Sequence, residues 1–336
     1  MTENTEFFVT YLIRRKSKMS QPLVEAVGVK KYFKTPKGLL HAVEDVSFKL
    51  YEGKTLGVVG ESGCGKSTLG RTILRLHEAT GGKVLYEGED IFSFKRREMH
   101  KVQRNMQMVF QDPYSSLDPR MSVRALIMEP LEVVGTGEKL SKGEKRDKVD
   151  AIMELCGLPA NHANLYPHEL DGGLRQRVGL ARAMILEPKF LVCDEPVSAL
   201  DVSIQAQILN LLMDLQDTKK LSYMFITHDL AVVKHISDEI LVMYMGQVIE
   251  FTSSDELFRN PLHPYTRALL NAIPTIDLSK RDRKKTALMG EVTSPINPEP
   301  GCRFAKRCPY ATEKCKSEPQ LREVSPGHFT TCTMGA

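Results

Sequence analysis

Short apolar runs, each closing on glycine or an acid, punctuate residues 22 to 250 and alternate with stretches of helical period. That alternation predicts a layered α/β fold. TLGVVG (55–60) predicts a buried strand, followed by a glycine-rich loop and a helix over STLGRTILRLH. FLVCDE (190–195) predicts a second buried strand, preceded by an amphipathic helix within HELDGGLRQRVGLARAM (168–184). SYMFITHD (222–229) is rich in strand formers, and EILVMYMGQVIEF (239–251) predicts two strands joined at Met245-Gly246. From roughly 98 to 180 the chain is more charged and more helical, as in EKLSKGEKRDKVDAIMELCGL, and predicts an inserted helical lobe.

These patterns divide the chain into an extension (1–20), a main domain (21–260, helical subdomain at about 100–180) and a C-terminal region (261–336). The last begins within NPLHPYTRALLNAIP, passes through the charged stretch DLSKRDRKK and ends in a tail rich in cysteine.

Composition narrows the function. The 336 residues are 42% apolar and 26% charged, ordinary for a globular chain, and a net charge of +4 is too mild to argue for nucleic acid. No window approaches the roughly 18 apolar residues that span a bilayer. FFVTYLI precedes a basic cluster, whereas a secretory signal puts the charge first; we read residues 1–20 as a frayed extension, with a short membrane-surface or partner contact as the alternative. Met19 leaves a shorter functional start open. Three of the seven cysteines, Cys64, Cys156 and Cys193, are dispersed through the body, whereas Cys302, Cys308, Cys315 and Cys332 crowd the last 35 residues. Without a secretory signal the expected compartment is reducing, where clustered cysteines signify metal more often than disulfides.

GESGCGKST (60–68) fits the phosphate-loop pattern and lies between the predicted strand and helix, the context that the pattern requires. Gly60, Gly63 and Gly65 let the backbone of Glu61, Ser62 and Cys64 turn its N–H groups toward an anion. Lys66 supplies a full charge for the β- and γ-phosphates; Ser67, followed by Thr68, supplies a hydroxyl for Mg²⁺. Asp194, at the end of an apolar strand, is placed to hold Mg²⁺, and Glu195 to orient or deprotonate an attacking water.

Together these residues resemble the ATP-binding subunits of ABC transporters over about residues 22–275. The resemblance implies a P-loop ABC ATPase: a RecA-like α/β core, an antiparallel β subdomain and an inserted helical subdomain, here with a small cysteine-rich extension. VFQDPYSSLDPRMSV resembles the Q-loop, which gives Gln111 the sensing of Mg²⁺ and water. DGGLRQR stands in the signature position (Asp171, Gly172, Gly173). SALD resembles the D-loop (Asp201), and His228 in ITHDL the switch histidine that contacts the γ-phosphate. Tyr32 in KKYF matches the aromatic that stacks on adenine, ahead of Phe33.

NPLHPYTRALLNAIP and the cysteine tail resemble the oligopeptide/dipeptide importer branch. That resemblance implies a heterodimer with a second, homologous ATPase, two transmembrane permease subunits and an extracytoplasmic peptide-binding protein. It places the chain peripherally on the cytoplasmic face of the membrane. Nickel or another small solute is the alternative cargo. A non-transport ABC ATPase on DNA or ribosomes is the rival, but only about 105 residues separate Gly65 from Asp171, with no heptad run, and one cassette is present; no nucleic-acid partner is expected. A metal-sensing regulatory ATPase is a third reading, carried by the tail alone.

The tail spacing, C-x5-C-x6-C-x16-C, offers four thiolates to tetrahedral zinc or to a [4Fe–4S] cluster. The missing C-x2-C pairs count against zinc. The branch resemblance favours iron–sulfur, and a tail without metal is the remaining alternative. In the family the signature serves the partner's ATP and usually carries Ser where Asp171 stands. Asp caps a helix as well as Ser does, but a carboxylate cannot donate to phosphate. At about 4 Å and an effective ε near 20, its repulsion from one phosphate charge is roughly 4 kcal/mol. The chain's own ATP site is therefore expected to be competent, and the site that Asp171 completes to be weak.

Overall fold

A computed structural model describes residues 21–134, 140–273, 294–317 and 319–333. The extension at 1–20 and the charged stretch DLSKRDRKK lie outside the described residues. The chain divides into two units, one formed by residues 1–50, 55–92 and 227–336, the other by 51–54 and 93–226.

In the first unit the strand Thr55–Val59 is buried at every position and pairs in parallel with Glu239–Tyr244. Continuous apolar burial is what a strand covered on both faces requires. Glu239–Tyr244 turns at Met245-Gly246 into Gln247–Ser253, as the sequence predicts. The sequence pattern did not predict the next neighbour. The tail returns as a hairpin, Arg322–Ser325 and His328–Thr330, and its second strand pairs antiparallel with Gln247–Ser253. The same unit holds an antiparallel sheet in which Val24–Thr35 lies between Gly38–Leu50 and Gly81–Tyr86. The helix after the phosphate loop, Lys66–Ile73, is shorter than its apolar pattern suggests. Arg75 ends it by taking a left-handed backbone (φ 53°) and donating to the Ile91 carbonyl at 2.6 Å.

The second unit carries a parallel sheet in which Phe190–Asp194 lies between Met106–Val109 and Ser222–Thr227. Its helices include Val123–Val133, Lys142–Leu155 and Gly172–Met184. Ser141 and Glu144 form a capping box at the start of Lys142–Leu155. The strand Met106–Val109 was hidden inside the charged, helical stretch, because four residues are too few to show a period.

A buried polar knot anchors the tail within the first unit. Glu250, fully buried, accepts the backbone N–H groups of Leu262 (2.7 Å) and His263 (2.9 Å) and lies 2.8 Å from His328 Nε2. His263 caps the helix Pro264–Ala272, its Nδ1 accepting the Tyr265 N–H at 3.1 Å. Burial pushes the His263 ring down to about 4, with the charge of Glu250 opposing. The unfolded imidazole binds its proton near pH 6.5, so the unfolded chain gains it first and stability falls as pH drops from 6.5 through 4. His263→Asn keeps a capping acceptor and is expected to lose less stability over that window. Urea midpoints at pH 7 and pH 4.5 for the parent and the variant measure the difference.

Candidate functional site

The phosphate loop is shaped by its neighbours' backbone. Gly65 stands at φ 105°, and a Cβ there would lie 2.0 Å from the carbonyl oxygen of Ala42. At Gly60 a Cβ would lie 2.2 Å from the carbonyl oxygen of Met243. Only glycine fits either place. The Gly246 N–H closes the arrangement by donating to the Cys64 carbonyl at 2.7 Å. Lys66 is 4% exposed and its Nζ donates to the carbonyls of Gly60 (2.8 Å) and Glu61 (3.0 Å). The ammonium thus sits over the loop, poised for an anion. Glu61 is held on every polar group: Tyr265 Oη accepts its N–H at 2.8 Å, and Arg307 forks onto its carboxylate at 2.7 and 3.0 Å. Ser67 and Thr68 open the helix that follows and are half-buried, whereas Ser62 and Gly63 are exposed.

Tyr32 belongs to the same unit. Its ring stacks on His41 with centroids 4.1 Å apart, and its hydroxyl donates to Glu44. Glu44 also meets His41 Nδ1 (2.6 Å) and Arg303 Nη2 (3.2 Å). Burial alone would raise the Glu44 carboxyl, but Tyr32, His41 and Arg303 hold it below the ordinary range. Phe33 instead meets His77 edge-on. His228, also in this unit, is exposed just past its strand, and Asp229 beside it caps the helix Leu230–Ile236.

In the second unit Asp194 is fully buried at its strand end. Glu195 takes a left-handed backbone, φ 46°, rare for a residue with a side chain and concentrated at functional sites. Its N–H donates to the Ile226 carbonyl at 2.9 Å, and its carboxylate accepts from Gln111 Nε2 at 3.0 Å. Two residues 84 apart in sequence are thereby joined. Asp171 caps the helix Gly172–Met184, accepting the Leu174 N–H at 2.8 Å. Gly173 serves packing: a Cβ would meet Ile204 Cγ2 at 2.7 Å, whereas one at Gly172 would meet Leu200 at 3.3 Å. Asp201 caps Val202–Lys219 through Ser203 and Ile204, whose bonds hold its carboxyl below the usual range.

Residues 43–198 match the model of the ABC transporter family, and residues 249–315 match that of the oligopeptide/dipeptide transporter C-terminal region. The oligopeptide transport ATP-binding protein OppF of Salmonella typhimurium is 52% identical, with 90% of each chain covered. AppF of Bacillus subtilis, of the same description, is 48% identical over 93% of this chain and 97% of its own. This chain belongs to the ATP-binding subunits of ABC transporters. Solved cassettes agree. A dimeric bacterial ABC transporter cassette is 27% identical with a TM-score of 0.63, covering 69% of this chain and 98% of its own. A second cassette, cbiO1 from Clostridium perfringens, part of an ABC transporter complex, is 26% identical with the same TM-score over 72% of this chain and 92% of its own. The fold is thus that of an ABC ATPase, and no helix among the described residues is long and apolar enough to cross a membrane.

In this ABC ATPase the four tail cysteines are free thiols, all half-buried. Burial pushes Cys302 up to about 11, and the charges of Cys315, Cys308 and Cys332 add to it. The Cys302 N–H donates to the Cys315 carbonyl at 2.8 Å, but among the described residues no group of three or more stands at a metal ion's ligand spacing. A single zinc needs four sulfurs about 2.3 Å from one point, and the described residues hold no group so arranged. Cys64, Cys156 and Cys193 are buried, and burial raises each thiol; they pack as small apolar groups. Sequence reading missed Glu44, Arg303, Arg307 and Tyr265. The two arginines sit inside GCRFAKRC, where the cysteines carried the signal, and nothing local marked their distant carboxylates.

Gly65→Ala is expected to eliminate ATP binding and cost more than about 1 kcal/mol of stability. Gly63→Ala, whose Cβ would meet nothing within 4 Å, should be milder in both. ATP titration and denaturant midpoints of the two variants check the contrast.

Proposed function

We propose that this chain is the ATP-hydrolysing subunit of an oligopeptide/dipeptide importer, peripheral on the cytoplasmic face of a membrane. The observation that carries the reading is a region of the oligopeptide/dipeptide transporter type over residues 249–315, in the chain that holds the cassette. Its partners are two transmembrane permeases, a peptide-binding protein outside the membrane and a second, homologous ATPase. Residues 21–260 are the nucleotide-binding domain and 261–336 the importer-type region.

The phosphate loop from Gly60 to Thr68 and Lys66 bind the phosphates of ATP, and Tyr32 the adenine. Ser67, Gln111 and Asp194 would hold Mg²⁺, which offsets phosphate charge. Glu195 orients the attacking water and takes its proton, and His228 meets the γ-phosphate. The hydrogen bond from Gln111 to Glu195 supports a gated base, since the carboxylate is occupied until the Q-loop moves. Cys302, Cys308, Cys315 and Cys332 would hold a [4Fe–4S] cluster, whose role would be to fix the tail.

Gly172, Gly173 and Asp201 line the face offered to the partner ATPase. Asp171 keeps the cap of its helix but, as an acceptor alone, cannot donate to phosphate. The heterodimer is therefore asymmetric, with the site that Asp171 completes weakened. Copurification with two hydrophobic membrane proteins tests the assignment, and failure to join any membrane fraction contradicts it. In the assembled complex Glu195→Gln is expected to lower hydrolysis by about 10²–10⁴ while ATP stays bound. Asp171→Ser should raise it severalfold. Unchanged activity in both variants would refute the asymmetric scheme.

A further inference from the structure

Arg307 precedes Cys308 in the cysteine segment, yet its side chain, 6% exposed, leaves that segment for the phosphate loop. Its Nη1 meets Glu61 Oε2 at 2.7 Å and its Nη2 meets Oε1 at 3.0 Å. Nη1 also donates to the Tyr244 hydroxyl at 3.3 Å. A fork of this kind fixes the orientation of a carboxylate as well as its charge. Glu61 in turn offers its carbonyl to Lys66, the cation of the loop, at 3.0 Å. A continuous path therefore runs from the cysteine segment through Arg307 and Glu61 to the lysine that faces phosphate. Arg303, four residues earlier, reinforces it by donating to the Met245 carbonyl, next to the Gly246 that closes the loop.

Glu61 explains why the path matters to a nucleotide. Its carboxylate stands on the loop that receives several negative phosphate charges, and Arg307 is the cation paired with it on both oxygens. Removal of Arg307 leaves the Glu61 carboxylate on the loop without its guanidinium partner and frees the side chain from the orientation that the fork imposes.

We propose that Arg307 is a positioning residue for ATP that acts through Glu61, so that nucleotide binding and the order of the cysteine segment favour one another. The inference rests on the reading of residues 60–68 as the ATP phosphate loop. A merely structural tie would change stability when broken, but would leave affinity and the response of the tail to ATP unmoved. Coupling between sites is reciprocal, so both directions can be read.

The test uses the full chain, a non-hydrolysable ATP analogue with Mg²⁺, and hydrogen exchange over residues 301–308. Arg307→Gln is expected to weaken binding about tenfold, inside the 5–150-fold range of coupled sites. Arg307→Lys, which keeps the charge without the fork, should weaken it about threefold. Glu61→Gln should weaken it too, and the double variant Arg307→Gln/Glu61→Gln no further than the worse single one. Lys306→Gln, at an exposed pair with Glu299, should bind as the parent does. In the parent, nucleotide slows exchange across the segment; in Arg307→Gln it does not. Binding by Arg307→Gln and Arg307→Lys within about twofold of the parent, below the coupling range, overturns the proposal, as does parent exchange that nucleotide leaves unchanged. If Arg307→Gln does not fold, Arg307→Lys and the parent's exchange decide the matter. A folded parent that binds no nucleotide overturns the loop reading, and this proposal with it.

Discussion

The glycine-rich loop from Gly60 to Gly65 depends on backbone packed against backbone with no room for a side chain. The carbonyl of Ala42 presses on Gly65, and the carbonyl of Met243 on Gly60. The strands that supply those carbonyls, Gly38–Leu50 and Glu239–Tyr244, belong to two different sheets of one unit. The phosphate loop is therefore a product of where the sheets hold it, and its own residues are selected to allow the approach. Loop conformation stored in this way costs nothing to reorganise when an anion arrives, which is what an electrostatic site needs.

Around that loop the polar groups form closed accounts. Lys66 is parked on two loop carbonyls, Glu61 is bound at its N–H, carbonyl and carboxylate, and Glu44 gathers Tyr32, His41 and Arg303. A buried charge is tolerable when its partners are complete. The region after residue 249 supplies many of those partners: Tyr265, Arg303 and Arg307 for the loop, and His328 for Glu250. A tail that looks like an appendage in sequence is thus part of the support of the glycine-rich loop.

The sequence revealed what periodicity and local chemistry can carry. The strands Thr55–Val59, Phe190–Asp194 and Glu239–Tyr244 were legible because unbroken apolar runs leave few other options. The loop was legible because its glycines and lysine are contiguous. Met106–Val109 was too short to show, and the hairpin at Arg322–Thr330 has an outer strand with no apolar face. The pairs Arg307–Glu61 and Arg303–Glu44 span 246 and 259 residues, and no spacing rule reaches that far. The capping role of Asp171 was legible, since an acid before a helix has one local use. The cysteine set was legible as a cluster in sequence, whereas among the described residues no group of three or more stands at a metal ion's ligand spacing.

The central claim is that ATP hydrolysis by this chain drives the entry of peptides. The most direct measurement is the ATPase rate of the membrane-reconstituted complex with its extracytoplasmic binding protein, loaded in turn with short peptides and with nickel. The account predicts a rate raised by peptide and lost with Glu195→Gln. A rate indifferent to peptide, or raised by the metal ion alone, would contradict it.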